Sequence, residues 1–246
     1  MIETRLLSTQ EEFTEAVELQ RRIWGFSDLE LLPVRLFVVA SKVGGHALGA
    51  YDGDRMIAFL LAIPGLKHES GKAPSTYLHS HMLGVLPDYT NLGIGRALKM
   101  KQRQIALENE IPLVEWTFDP LELKNAWFNI ERLGAIVRRY VPNQYGTTTS
   151  HLHGGLPTDR LVAEWWVGSE RAAAITAGEP YDRPTIEARI AFPSNIGSLR
   201  REDSRSARKI QEEAGNRFQQ YFQDGLAVIG FERTDNSGVY LLGQWK

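Results

Sequence analysis

The chain has 246 residues, 43% hydrophobic and 24% charged, the composition of an ordinary globular protein rather than of a disordered or membrane-embedded one. Its formal net charge of −2 offers no basic excess for nucleic acid, so any anion has to be held by a local arrangement of donors. Cysteine is absent, which excludes disulfides, thiolate nucleophiles and cysteine-based zinc sites together.

The opening "MIETRLLSTQEEF" is charged within its first five residues and lacks the apolar stretch and small-residue cleavage site of a signal peptide. No apolar run approaches the roughly eighteen residues that a membrane span needs. A cytoplasmic location is therefore expected, with neither membrane nor nucleic acid as a partner.

Residues 2 to 7 read as a short strand. "STQEEFTEAVELQRRIWG" reads as a helix, with Thr9 and Glu12 at the spacing of a capping box and Phe13, Ala16, Val17, Leu19 and Ile23 as its apolar stripe. "LPVRLFVVASKVGG" predicts a second helix that ends at Gly44 and Gly45. "HALGAYDGDRMIAFLLAI" is a hairpin turning at Asp52, Gly53 and Asp54, and residues 65 to 75 form a polar loop. "TYLHSHMLGVL" alternates as a third strand, closed by Pro87.

A helix follows from the glycines of "NLGIGRALKM" to about Asn109, then the strand "LVEWTF", a helix in "LELKNAWFNIERLG" and the strand "AIVRRYV". From 169, "SERAAAITAGEPYDRP" reads as a linker, followed by a strand at 185 to 192, a long helix from about Asp203 to Phe222 and a hairpin around "TDNSG". The expectation is an α/β (α+β) fold with a mixed central sheet covered by helices on both faces, over residues 1–168, and a C-terminal strand, helix and hairpin extension over 169–246.

"NLGIGRALKM" sits between a strand and a helix, so its glycines bare the unpaired N–H groups and the positive dipole end of the helix start. Such a corner suits a phosphate or pyrophosphate, and glycine lets that group approach the backbone. Arg96, Lys99 and Arg103 recur at helical spacing as a basic face, with a merely solvated face as the alternative. The Walker loop does not match. The dinucleotide fingerprint fails at Leu98, where a third glycine is needed, and only Asp119 supports it.

"LGVLPDYTNLGIGRALKMKQ" resembles the acyl-CoA binding motif of the GCN5-related N-acetyltransferase (GNAT) superfamily, and "AWFNIERLGAIVRR" resembles its late helix and strand. The likeness extends over residues 1 to about 142. It is nearest to a branch of predicted acyltransferases with a long C-terminal extension, in which "HSHMLGV" is familiar. It implies an acyl-CoA co-substrate, acetyl or succinyl, held at Val85, Leu92, Gly93, Ile94, Gly95 and Arg96. It departs at Thr90, where the family has Gln or Arg, and at Ile130, where a tyrosine often protonates the departing thiolate; the alternatives are Tyr140 or Tyr145 as a substitute, or a proton taken from water.

Acyl transfer to an amine needs a base, donors for the oxyanion and a proton for sulfur, but no covalent enzyme intermediate. Glu115 in the central strand and the pair His79 and His81 are the candidate bases, each weighed against a structural role. His151 and His153 repeat the His-x-His spacing, but no acidic ligand accompanies either pair and no metal is expected. Arg138 and Arg139 should point to opposite faces of their strand, one of them free to clamp a carboxylate. The expected activity is N-acylation of a small amine, such as an amino acid, by direct attack in a ternary complex. The alternative is a non-catalytic acyl-CoA-binding module. The tail completes the sheet, caps the acceptor pocket or makes a homodimer contact; sequence does not rank these.

Overall fold

The computed structural model describes residues 2–68, 71, 73–146 and 156–245. Contacts divide them into two compact units, 1–115 and 116–246. The division at 168/169 read from the sequence follows composition, a different criterion.

In the first unit β1 (Ile2–Leu6), β2 (His46–Asp52), β3 (Arg55–Lys67) and β4 (Ser75–Val85) pair antiparallel in that order. β5 (Leu113–Phe118), in which the unit boundary falls, joins β4 in parallel through Leu78↔Val114 and His79↔Glu115. The sheet is therefore mixed, as expected. β3 runs on to Lys67, so the loop expected at 65–75 is shorter than its polar composition suggested.

α1 (Gln10–Trp24) and α2 (Val34–Lys42) cover one face, and α3 (Ile94–Glu108) covers the other. The capping box is present: the Thr9 hydroxyl accepts from the Glu12 N–H at 3.3 Å, and the Glu12 carboxylate accepts from the Thr9 N–H at 3.0 Å. Phe59 on β3 meets the rings of Trp24 from α1 and Phe37 from α2. Its partner Gly84 leaves room for Trp24, whose ring would lie 2.6 Å from an added Cβ. Ala62, three residues on from Phe59, faces the opposite way with its partner Ser80, toward α3. Phe59, Leu60 and Leu61 are fully buried between these layers, each worth about 1.5–3 kcal/mol of burial.

In the second unit β7 (Arg160–Trp166), β6 (Ile136–Val141), β9 (Leu226–Arg233), β10 (Ser237–Gln244) and β8 (Ala188–Pro193) pair antiparallel in that spatial order. The tail thus extends a sheet, through Val137↔Val228. α4 (Leu123–Trp127) continues into a π turn at Phe128–Arg132. The linker expected from 169 holds a helix, α5 (Glu170–Ala177), capped by the Ser169 hydroxyl and stopped by Gly178 at φ 79°. The expected long helix is α7 (Ser204–Gln223), preceded by α6 (Ile196–Glu202), which has no counterpart in the sequence reading. Among the described residues no helix is long and apolar enough to cross a membrane.

Candidate active site

The turn from β4 into α3 is built from two left-handed residues, Asn91 at φ 64° and Gly93 at φ 80°. Asparagine and glycine are the types that adopt this region at least cost. Gly93 is the N-cap of α3 and has no side chain with which to cap, and the first turn holds no acidic residue. The first bond of the helix joins the Ala97 N–H to the Gly93 carbonyl at 3.0 Å, so the Ile94 and Gly95 amides lie ahead of the ladder. By contrast α1, α5 and α7 have side-chain caps from Thr9, Ser169 and Asp203. A helix start left without a cap or a carboxylate retains its preference for an anion.

Leu92 is exposed at the rim of this corner, Arg96 is half-buried on the first turn, and Val85 is the last residue of β4 beneath it. An added Cβ on Gly95 would meet Leu83 Cδ2 at 3.5 Å and Val85 Cγ2 at 3.9 Å, which packs the helix start directly on that strand.

Upstream on β4, Leu61↔Met82 follows Ala62↔Ser80, so His81 is the extra residue of a β-bulge. His79 pairs with Ile63 on one side and Glu115 on the other, and cross-strand partners share a face. The His79 and His81 rings are 5.8 Å apart between centroids. His81 meets solvent, but atoms crowded round its ring lower its pKa by desolvation, and that desolvation favours the neutral imidazole.

Glu115 is buried, its side chain 6% exposed, and Lys67 Nζ donates to its Oε1 at 2.5 Å. The Lys67 side chain, 20% exposed, brings an ammonium that balances a charge otherwise costly at that depth. Ile63, Gly65, Tyr77 and His79 are only half-buried, whereas Phe59 and Leu61 on the same face are fully buried. The structure thus brings together Glu115, His79 and His81, and adds Lys67, which the sequence reading missed.

Solved structures share this arrangement of elements. An acetyltransferase of GNAT family from Streptococcus pneumoniae matches with a TM-score of 0.50 at 12% identity, over 67% of this chain and 98% of that one. The chain has the GNAT acetyltransferase fold. Arabidopsis thaliana NAA60, in complex with acetyl-CoA, matches with a TM-score of 0.53 at 16% identity, over 68% and 99% of the two chains. The ribosomal-protein-S18-alanine N-acetyltransferase from Escherichia coli gives 0.52 and 16%, over 69% and 96%. No family model and no curated protein matches the sequence.

Within the GNAT fold this chain keeps its departures. The Thr90 hydroxyl donates to the Pro87 carbonyl at 2.9 Å and tightens the turn instead of reaching outward. Ile130 is fully buried in the π turn of the second unit. Tyr140 donates to Asp159, and burial together with that bond raises its pKa well above the ordinary tyrosine value, making it a poor proton donor. Tyr145 is exposed, with its hydroxyl 3.0 Å from Thr117 Oγ1.

Two sequence expectations are corrected. Arg138 and Arg139 do not diverge, because a bulge at Arg138, between Val137↔Ala163 and Arg139↔Val162, breaks the alternation. Both guanidinium groups turn to the buried Glu164, Arg138 Nη2 at 2.5 Å and Arg139 Nε at 3.8 Å. Lys99 does not share a solvated basic face with Arg96 and Arg103: it is 3% exposed and points into the core. Asp119, the support for the dinucleotide fingerprint, is engaged by Arg200 Nη2 at 3.0 Å. His151 and His153 lie outside the described residues, and among those described there is no cluster of three or more potential metal ligands from His, Asp and Glu.

Proposed function

We propose that the protein is an acyl-CoA-dependent N-acyltransferase that transfers an acetyl or succinyl group to a small amine, such as an amino acid. The observation that carries this is the uncapped start of α3 at Gly93, set on a bulged β4, within the GNAT fold. The first-turn amides from Leu92 to Arg96 hold the pyrophosphate. The arm then runs along Val85 toward the bulge, about 13 Å upstream at roughly 3.3 Å per residue. NAA60 was crystallised with acetyl-CoA, which supports the same co-substrate here.

Glu115, or His79 and His81 through water, takes the proton of the acceptor ammonium. The free amine attacks the thioester carbonyl, the C–N bond forms, and the C–S bond breaks as the thiolate leaves. With Ile130 buried in place of the expected tyrosine, the thiolate takes its proton from water or from the ammonium of the tetrahedral intermediate. No step draws on a metal. In this reading residues 1–168 act as the acyl-CoA-binding part, and the chain works in the cytoplasm.

Thiol release from acetyl-CoA and succinyl-CoA, measured over amino acids, other small amines and a peptide N-terminus, tests this reading. Release with a small amine is expected. Release with the peptide alone would move the acceptor to the class named for the Escherichia coli enzyme. Coenzyme A binding without release on any amine would favour a non-catalytic acyl-CoA-binding module, the reading for which Ile130 speaks.

A further inference from the structure

Lys99 lies in the second turn of α3 and its amine is wholly inside the first unit. Nζ donates to Ser80 Oγ at 2.8 Å and to Gln102 Oε1 at 3.1 Å, and Ser80 Oγ stands 3.3 Å from the same Gln102 oxygen. Burial pushes this amine well below the ordinary lysine value. A methionine would fill the same volume without desolvating an amine, and Ser80 and Gln102 would keep their hydrogen bond to each other. Stability alone therefore gives weak grounds for a lysine here.

The contacts explain it better. Ser80 is the last β4 residue in register with β3 before the bulge at His81, and its chain neighbour His79 carries the pairing to Glu115. α3 opens at the glycine corner five residues before Lys99. We propose that Lys99, acting through Ser80, is a positioning residue that fixes the spacing between the anion-binding turn of α3 and the bulged stretch of β4 carrying His79 and His81.

The inference rests on the acyl-transfer reading. An acyl-CoA gripped at its pyrophosphate presents its thioester at a distance set by that spacing. Reacting atoms must come within about 3–3.5 Å, and a slip of about 1 Å costs on the order of 100-fold in rate. The Lys99 to Ser80 bond ties together the two elements whose relative slide would cause it.

The test uses Lys99→Met and Ser80→Ala in the full chain. Thermal unfolding, coenzyme A affinity by calorimetry, and kcat and KM for thiol release are measured on each. Lys99→Met is expected to melt at or above the wild-type temperature. Both variants are expected to keep coenzyme A affinity and acyl-CoA KM while kcat falls by about tenfold or more. Unchanged kcat in both variants overturns the proposal. So does a kcat loss that follows a lower melting temperature or a weaker grip on coenzyme A, since that pattern marks a packing role. A wild-type protein that neither binds coenzyme A nor releases thiol fails earlier and overturns the acyl-transfer reading itself.

Discussion

Gly95→Asp sets stability and ligand affinity in opposite directions. The new Cβ meets Leu83 and Val85 at 3.5 and 3.9 Å, ordinary contact distances, and Gly95 does not need a left-handed backbone. An acidic residue in the first turn of a helix with no acidic residue there adds about 0.3–1 kcal/mol of stability. A phosphate at the same amides faces the new carboxylate at close range. Unit charges about 4 Å apart repel by about 1 kcal/mol in water and about 4 kcal/mol near a protein surface. At about 1.4 kcal/mol per decade, affinity for coenzyme A falls between about fivefold and about a thousandfold. Calorimetry with coenzyme A, paired with melts of the ligand-free protein, reads both effects, and Gly95→Ala, which adds bulk without charge, separates the two causes. An intact Gly95→Asp protein that binds coenzyme A as the wild type does would refute the placement of the pyrophosphate.

Glu115→Gln keeps the shape of the side chain and removes the base, so thiol release should fall by about 10²–10⁴ while coenzyme A titrates as before; a folded variant with full turnover removes Glu115 from the mechanism. His46 is buried with its Nδ1 lacking a partner among the described residues, and burial pushes its pKa down to about 4. Its unfolded value is near 6.5, so below that pH the unfolded chain binds a proton that the folded chain refuses. This contribution to stability is complete above pH 6.5 and is lost as pH falls toward 4, about 2 kcal/mol of it between pH 7 and pH 5. Chemical denaturation at the two pH values should show a steeper acid loss in the wild type than in His46→Leu, and equal slopes would contradict the assignment.

What could be read in the sequence is what adjacent residues decide. The capping box at Thr9 and Glu12, the hairpin at Asp52–Asp54 and the glycine corner depend on side chains and backbone angles within a few positions, and each is present. α5 was locally signalled too, by Ser169 as a cap and Gly178 as a stop, but its small residues resembled a linker. The bulges at His81 and Arg138 were not legible, because an extra residue shows only against a partner strand. Charge spacing gave Lys99 the same helical face as Arg96, and only the sheet beneath α3 decides that this part of the face is buried. Lys67 and Glu115 are separated by 48 positions, and their pairing depends on the β3, β4 and β5 registers together.

The central claim is that the corner at Gly93–Gly95 holds an acyl-CoA, and calorimetric titration of the purified protein tests it most directly. Coenzyme A, acetyl-CoA and succinyl-CoA are the ligands and NAD the comparison. The account predicts saturable binding of the coenzyme A series, weakened by Gly95→Asp, and none of NAD. Binding of NAD with no response to any coenzyme A would contradict it.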